Sequence, residues 1–177
     1  MVVVHAGSSV GSCDVATLFI TCGVPGSGKT TVAKRIEVEH GALRLTADEW
    51  LHELYADEEL VGLDENGALR APHRPQVERI QWALALRALE LGVNVVLDWG
   101  LWTREERDRY RTEAQALGIR VVLCVSMASR DELLRRLAAR NADLPTGTFR
   151  IDEVQLDRGL QWSVAGLRHR SGRCSTT

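Results

Sequence analysis

One stretch of the chain has the spacing of a phosphate-binding loop. Residues 23–30 read Gly-Val-Pro-Gly-Ser-Gly-Lys-Thr, which matches the pattern G-x-x-x-x-G-K-[ST]. Glycines let the backbone curl so that several N–H groups face a polyphosphate, and the helix N-terminus that follows adds positive potential. In such a loop Lys29 reaches the β- and γ-phosphates, and the Thr30 hydroxyl can ligate magnesium. The predicted nucleotide-binding residues are Gly23, Gly26, Ser27, Gly28, Lys29, Thr30 and Thr31.

Two aspartates follow predicted strands, where an acceptor for a phosphoryl group could bind. Asp48 stands at the second position of a predicted helix, and Asp98 ends the most strand-like segment of the chain. Ligands of parallel α/β sheets bind outside the carboxyl ends of the strands. Transfer to a hydroxyl needs a carboxylate that accepts its proton. Asp48 could be that base or could only favour the helix dipole. Asp98 could hold magnesium with Thr30, orient a substrate hydroxyl, or be purely structural.

Arginines follow the fourth predicted strand, where a lid would cover the phosphates. Arg135, Arg136 and Arg140 share one predicted helix, and Arg150 comes after the loop that follows it. Cations at this place can stabilise charge on a transferring group. A solvated, charged helix face is the commoner explanation of such a run. We predict that Arg136 and Arg140, which are four residues apart and share a face, are catalytic together with Lys29 and Asp48.

Strands alternate with helices along the chain. The predicted strands are Thr17–Cys22, Ala42–Leu45, Val93–Asp98 and Arg120–Ser126. The predicted helices start near Lys29, Thr46, Pro72, Thr103, Arg130 and Asp152. This alternation implies a parallel sheet with helices on both faces.

Three segments carry more specific local signals. Thr46 with Glu49, and Thr103 with Glu106, each have the spacing of a capping box. The acidic segment Asp57–Ala71 is aperiodic and is predicted to be a loop.

Composition limits the classes of protein. The length of 177 residues suits one domain, which we place at residues 17–168, with an N-terminal extension (1–16) and a frayed tail (169–177). The net charge of −2 disfavours nucleic acid as a partner. The four cysteines lack metal-ligand spacing. No apolar run approaches the roughly 20 residues of a membrane helix, and the N-terminus lacks a basic start, so we expect a cytoplasmic protein without membrane contact.

With these residues in place, the chain resembles ATP-binding proteins of the AAA type, in particular the P-loop kinase group of polynucleotide 5′-hydroxyl kinases, chloramphenicol phosphotransferase and zeta toxins. In that group an aspartate after the second strand is the base toward the acceptor hydroxyl, and Asp48 matches it. The lid arginines correspond to Arg136 and Arg140. An aspartate that ends the third strand, before a helix with arginine, matches Asp98 with Arg104 or Arg107.

The resemblance implies a nucleoside-kinase-like, three-layer P-loop NTPase fold of the α/β class, with sheet order 2-3-1-4. It also implies ATP or GTP with Mg²⁺. Leu51 stands where polynucleotide kinases carry an arginine that grips nucleic-acid phosphate. A fifth strand, which often frames the adenine, is not evident after Arg150.

The acceptor is predicted to be a hydroxylated small molecule. Trp99 and Trp102 flank the turn after Asp98, and aromatic walls with acidic groups suit neutral or cationic compounds. Core tryptophans beside a solvated acidic loop are the alternative. The predicted substrate residues are Asp98, Trp102 and Arg104. Two other functions stay open: a polynucleotide 5′-hydroxyl kinase, and a nucleotide-dependent ATPase or switch that acts on a protein partner of unknown identity.

Overall fold

A parallel sheet forms the centre of the protein. The computed structural model describes residues 15–55, 62–63, 69–70, 72–101, 103–145 and 147–167. In chain order the elements are β1 (Thr17–Cys22), α1 (Lys29–His40), β2 (Leu43–Thr46), α2 (Ala47–Leu54), β3 (Gly62–Leu63), β4 (Leu69–Arg70), α3 (Arg74–Glu90), β5 (Val95–Asp98), α4 (Arg104–Ala116), β6 (Arg120–Val125), α5 (Arg130–Ala142) and α6 (Glu153–Leu167). The sheet has the order β2-β5-β1-β6, and every neighbouring pair of its strands is parallel. Counted among the four parallel strands, this is the predicted order 2-3-1-4, which is confirmed.

The alternation of side chains along the strands forms a core on each face of the sheet. Leu18 and Leu97 belong to a large cluster with residues of α2, α3 and α4. Phe19 and Val96, one position away in each strand, pack with Ala33 of α1 on the other face. The carboxyl ends of β1 and β5 therefore lie side by side between two layers of helices. None of the helices in the described part of the chain combines the length and apolar character that a bilayer-spanning segment requires.

Two local predictions were wrong. Thr46 precedes α2, but its side chain makes no capping hydrogen bond to the helix. Its hydroxyl instead donates to Asp98 Oδ2 at 3.4 Å, and Glu49 forms an ion pair with Arg44. The segment predicted as a loop includes the antiparallel pair β3–β4, whose two-residue strands are too short for alternation to reveal. At Thr103 and Glu106, by contrast, the capping box is confirmed.

Several element boundaries differ from the predictions by one residue, including those of β2 (Leu43–Thr46) and β6 (Arg120–Val125), and two differ by two residues. α3 begins at Arg74 rather than at Pro72. β5 begins at Val95 rather than at Val93, because the Val93 N–H donates to Ala88 O and so belongs to the turn that ends α3.

Candidate functional site

The loop between β1 and α1 has a backbone shape that requires glycine. Gly23 has φ 145°, and a Cβ there would lie 2.4 Å from the backbone oxygen of Ser126 and 2.6 Å from Ser27 Oγ. Gly26 and Gly28 also have positive φ values. The Ser27 N–H donates to Val24 O at 3.1 Å, which closes the turn before α1 begins. The predicted motif thus forms a tight strand-to-helix turn that ends on the N-terminus of α1, a place suited to anions.

Two side chains in this loop are poised for an anionic ligand. Lys29 Nζ donates to Val24 O at 3.1 Å, and burial lowers the pKa of Lys29 while the charges of Asp98 and Asp48 oppose that shift. The Ser27 hydroxyl is buried and has no hydrogen-bond partner among the described residues. A buried hydroxyl without a partner is unfavourable, and phosphate oxygens would satisfy it. Thr31, another predicted nucleotide-binding residue, lies exposed on the first turn of α1.

Thr30 and Asp98 meet beside the loop. Thr30 Oγ1 donates to Asp98 Oδ1 at 3.2 Å, and the Asp98 side chain is 2% exposed. Burial raises the pKa of Asp98, whereas the Thr30 hydrogen bond and the charges of Lys29 and Arg44 lower it. Mg²⁺ prefers oxygen ligands and usually keeps several waters beside one or two carboxylates and substrate phosphates. One carboxylate and one hydroxyl at this spacing fit such an ion.

A larger cluster of metal ligands is absent from the part of the chain that the structure describes. No group of three or more His, Cys, Asp or Glu side chains is close enough there to hold a metal. A fully protein-ligated cation site is therefore not formed by the described residues.

Asp48 lies just after β2, the strand next to β5 in the sheet. It is the second residue of α2, its side chain is 40% exposed, and it accepts a hydrogen bond from Arg74 Nη2. Burial lowers the pKa of Lys29 and that of Arg140, and the charge of Asp48 opposes both shifts, so its carboxylate lies within electrostatic reach of both the loop and α5. Asp48 is thus a partly exposed carboxylate that contacts Arg74 directly and interacts electrostatically with Lys29 and Arg140.

The two lid arginines reach the site in different ways. Arg136 Nη1 donates to Gly26 O at 3.3 Å, and its Nε donates to Glu132 Oε1 at 2.6 Å. Arg140 Nη2 donates to Phe149 O at 2.9 Å. The Nε of Arg140 is buried with no hydrogen-bond partner in the described residues, and burial lowers the pKa of Arg140. Arg136 therefore contacts the loop directly, whereas Arg140 interacts electrostatically with Asp48.

Other residues predicted near the acceptor include Arg104, Trp99 and Trp102. Arg104 is 48% exposed and pairs with Asp108 of its own helix at 3.1 Å, and none of the described contacts joins it to Asp48 or Asp98. Trp102 lies outside the described residues. Trp99 is 1% exposed and donates from Nε1 to Gln81 Oε1 at 2.7 Å, so it is a core tryptophan rather than a pocket wall.

Sequence reasoning missed two arginines at the site. Arg44 lies on β2 and contacts Glu37 at 3.0 Å, Glu49 at 2.9 Å and Asp98 at 3.7 Å. The alternation of β2 places Arg44 on the same face as Thr46, which could have revealed it. Arg74, the partner of Asp48, is part of no motif, and only the packing of α3 against α2 brings it there.

Comparisons with solved structures identify the fold. A chain in the structure of the Pnkp1/Rnl/Hen1 RNA repair complex is 21% identical with a TM-score of 0.65, over 86% of this chain and 45% of that one. Kti12 of Chaetomium thermophilum in complex with ADP-AlF3 is 15% identical with a TM-score of 0.60, over 82% and 79%. A gluconokinase of Sinorhizobium meliloti 1021 is 22% identical with a TM-score of 0.54, over 84% and 74%.

The likeness to these structures extends to the fold, and the predicted resemblance to P-loop kinases is confirmed at that level. The chain spans less than half the length of the chain it matches in the RNA repair complex. No curated protein matches the sequence. A family model described as an AAA domain matches residues 18–164. Because that match covers most of the chain, the protein belongs to this AAA domain family, and its fold is that of the P-loop kinases.

Proposed function

We propose that this protein is an ATP-dependent phosphotransferase that moves the γ-phosphoryl group to a hydroxyl of a small molecule. The observation that carries the proposal is the position of Asp48, an accessible carboxylate whose charge acts on both Lys29 and Arg140. A group in that position can contact an acceptor on one side while the phosphate-binding cations lie on the other. Transfer to a hydroxyl requires this arrangement.

The loop is proposed to hold the phosphates of ATP, or of GTP. Its backbone N–H groups, the Ser27 hydroxyl and the Lys29 ammonium would bind them, since the Ser27 hydroxyl is buried without a hydrogen-bond partner in the described residues and Lys29 Nζ lies at the loop, bonded to Val24 O. Kti12, a protein of the same fold, is solved with ADP-AlF3, which supports a nucleotide in the corresponding loop. Thr30 and Asp98 would hold Mg²⁺, which when bound neutralises phosphate charge.

The protein's own groups then have distinct tasks. Asp48 accepts the proton of the acceptor hydroxyl and orients its oxygen. Arg136 and Arg140 stabilise the charge that spreads over the oxygens of the transferring group. The aliphatic residues around α5 and α6, such as Leu137 and Leu156, exclude water from the loop, because they pack directly on Val24.

A small-molecule acceptor is proposed over a polynucleotide on the basis of α2. Leu51 is fully buried, so the position at which polynucleotide kinases carry a phosphate-gripping arginine does not face an acceptor here. Among the similar structures, a gluconokinase acts on a small hydroxylated compound, as its name states. Because Trp99 is buried in the core, it would not line an acceptor pocket. The roles of Trp102 and Arg104 in acceptor binding remain predictions.

The test is transfer of labelled phosphate from ATP with magnesium to pooled nucleosides, aminosugars, sugar acids and 5′-hydroxyl oligonucleotides. We expect Asp48→Asn to keep nucleotide binding and lose transfer, and Lys29→Ala to lose both. Glu53→Gln removes an exposed carboxylate of the same helix and serves as the matched control. Full transfer by Asp48→Asn would remove Asp48 as the base. Transfer to the oligonucleotide pool alone would replace the small-molecule acceptor, and nucleotide hydrolysis without any transfer would favour a switch.

A further inference from the structure

We propose that Arg74 is a positioning residue that fixes the Asp48 carboxylate toward the acceptor hydroxyl, an assignment that rests on the proposed function. Arg74 is the first residue of α3 and lies opposite the first turn of α2. Its Nη2 donates to Asp48 Oδ1, and its Nη1 donates to Glu78 Oε1 at 3.3 Å. The guanidinium is therefore a planar bridge between two carboxylates.

The bridge restricts the direction in which Asp48 points. A guanidinium is rigid and planar, so holding both of its terminal nitrogens fixes the orientation of the hydrogen bond that it donates. Glu78 is one helical turn after Arg74, in the favourable i,i+4 relation, and holds the far nitrogen. Asp48 is 40% exposed and would otherwise move among several rotamers in solvent. The bond to Arg74 selects one of its two oxygens and leaves the carboxylate plane with little freedom.

A second link sets the distance between the helices that carry this pair. Gln81 of α3 is fully buried, and its Nε2 donates to Thr46 O at 3.2 Å, two residues before Asp48. Its Oε1 accepts from Trp99 Nε1, which anchors the amide from the β5 side. Buried hydrogen bonds thus connect the start of α2 with α3 through the protein core. We infer that these bonds fix the position of Arg74 relative to Asp48.

A stabilising role alone accounts poorly for the triad of Asp48, Arg74 and Glu78. The Arg74 and Glu78 side chains are 25% and 21% exposed, and burying such charges offsets much of what their attraction contributes. Burial raises the pKa of Glu78 against the opposing charge of Arg74, whereas burial lowers the pKa of Arg74 less than Asp48 and Glu78 raise it, so the pairing favours the arginine more than Glu78. A base, by contrast, gains much from fixed geometry, because a displacement of about 1 Å can cost roughly 100-fold in rate.

The experiment measures single-turnover transfer, nucleotide affinity and thermal unfolding for Arg74→Met, Arg74→Lys and the matched control Arg79→Met, whose arginine is exposed on the same helix. We expect Arg74→Met to slow transfer by about 10- to 100-fold, with nucleotide affinity changed less than about twofold. Arg74→Lys should keep the charge and recover only part of the rate, because an ammonium cannot bridge both carboxylates in a plane. Arg79→Met should resemble the wild type.

Combination with Asp48→Asn separates positioning from folding. If Arg74 acts through Asp48, then adding Arg74→Met to Asp48→Asn should cause no further loss of residual transfer. Equal fold-losses in both backgrounds, or a wild-type rate in Arg74→Met, would overturn the assignment while leaving the proposed function intact. If Arg74→Met does not fold, Glu78→Gln, which frees the far side of the guanidinium, should slow transfer in the same direction, and an unchanged rate in that variant overturns the assignment. No transfer by the wild type to any acceptor would overturn the proposed function and this assignment together.

Discussion

The imidazole of His52 stacks on the phenyl ring of Phe149, with ring centroids 4.7 Å apart and an interplanar angle of 22°. His52 lies on α2 one turn after Asp48, and Phe149 lies in the loop that joins α5 to α6. Beside the stack, His52 Nε2 donates to Thr148 O at 3.0 Å, and a Cβ on Gly147 would lie 3.1 Å from Glu49 Cγ. The loop after the lid arginines therefore packs on the helix that carries the proposed base, so the position of one constrains the other.

We predict that Phe149→Leu speeds nucleotide release. Leucine keeps apolar contact with the core but loses the ring stack, which is worth about 1 kcal/mol. The loop would then open more readily, and the release rate of a fluorescent nucleotide in stopped flow should rise about fivefold. Leu144→Ala, at an exposed position in the same loop, is the control. An unchanged release rate in Phe149→Leu would mean that the stack does not hold the loop over the nucleotide.

Gly23→Ala should abolish nucleotide binding. The added methyl group would meet the Ser126 backbone oxygen at 2.4 Å, and φ 145° is itself strained for alanine. Gly41→Ala shares a positive φ but meets nothing within 4 Å, so it isolates the backbone cost, about 1 kcal/mol. Calorimetric titration with ATP and magnesium measures the effect. Wild-type affinity in Gly23→Ala would show that the loop can relax away from Ser126.

Arg44→Met should destabilise the protein by about 3 kcal/mol, since it leaves the nearly buried Asp98 carboxylate without this cation and also frees Glu37 and Glu49. Urea denaturation without nucleotide gives the free energy of unfolding. Arg35→Met removes an exposed partner of Glu39 and should change that free energy by no more than about 0.5 kcal/mol. Equal losses in the two variants would contradict a special role for Arg44.

Gln81→Leu should cost about 2 kcal/mol, because Trp99 Nε1 and Thr46 O would lose a buried partner. Adding Trp99→Phe removes the orphaned indole donor, so the double variant should lose less than the sum of the two single losses. Thermal and urea unfolding of all four proteins measure this. Additive losses would show that the two side chains do not depend on each other.

Arg136→Ala should lower the transfer rate by roughly 100-fold while nucleotide affinity falls less than about threefold, because the guanidinium is expected to act on transition-state charge. Arg135→Ala is the control, since Arg135 is 70% exposed and pairs with Glu132. The reverse pattern, with affinity lost and rate kept, would make Arg136 a binding residue for the bound nucleotide.

Many helices and strands could be predicted from the sequence, because apolar strand patterns and glycines that end helices are signals contained within a few neighbouring residues. The four parallel strands were predicted in this way, whereas their order was implied by the resemblance to P-loop kinases. Thr30 and Asp98 do meet at the carboxyl edge of the sheet. What local patterns missed depends on distant contacts. Thr46 has the spacing of a cap, yet its hydroxyl bonds to Asp98, 52 residues away. Arg74 reaches Asp48 across 26 residues, and no spacing rule connects them.

The contact of Gly23 with Ser126 has a consequence for the order of folding. The glycine motif is synthesised before β6 and before Ser126, whose N–H donates to Cys22 O at 2.9 Å. Parallel pairings between distant segments form slowly, after the chain entropy of the intervening loops is lost. A nascent chain that ends before Ser126 therefore contains the whole glycine motif but lacks the Ser126 backbone that packs against Gly23. Nucleotide would therefore bind only after the sheet has formed completely, and its binding would stabilise the completely folded state.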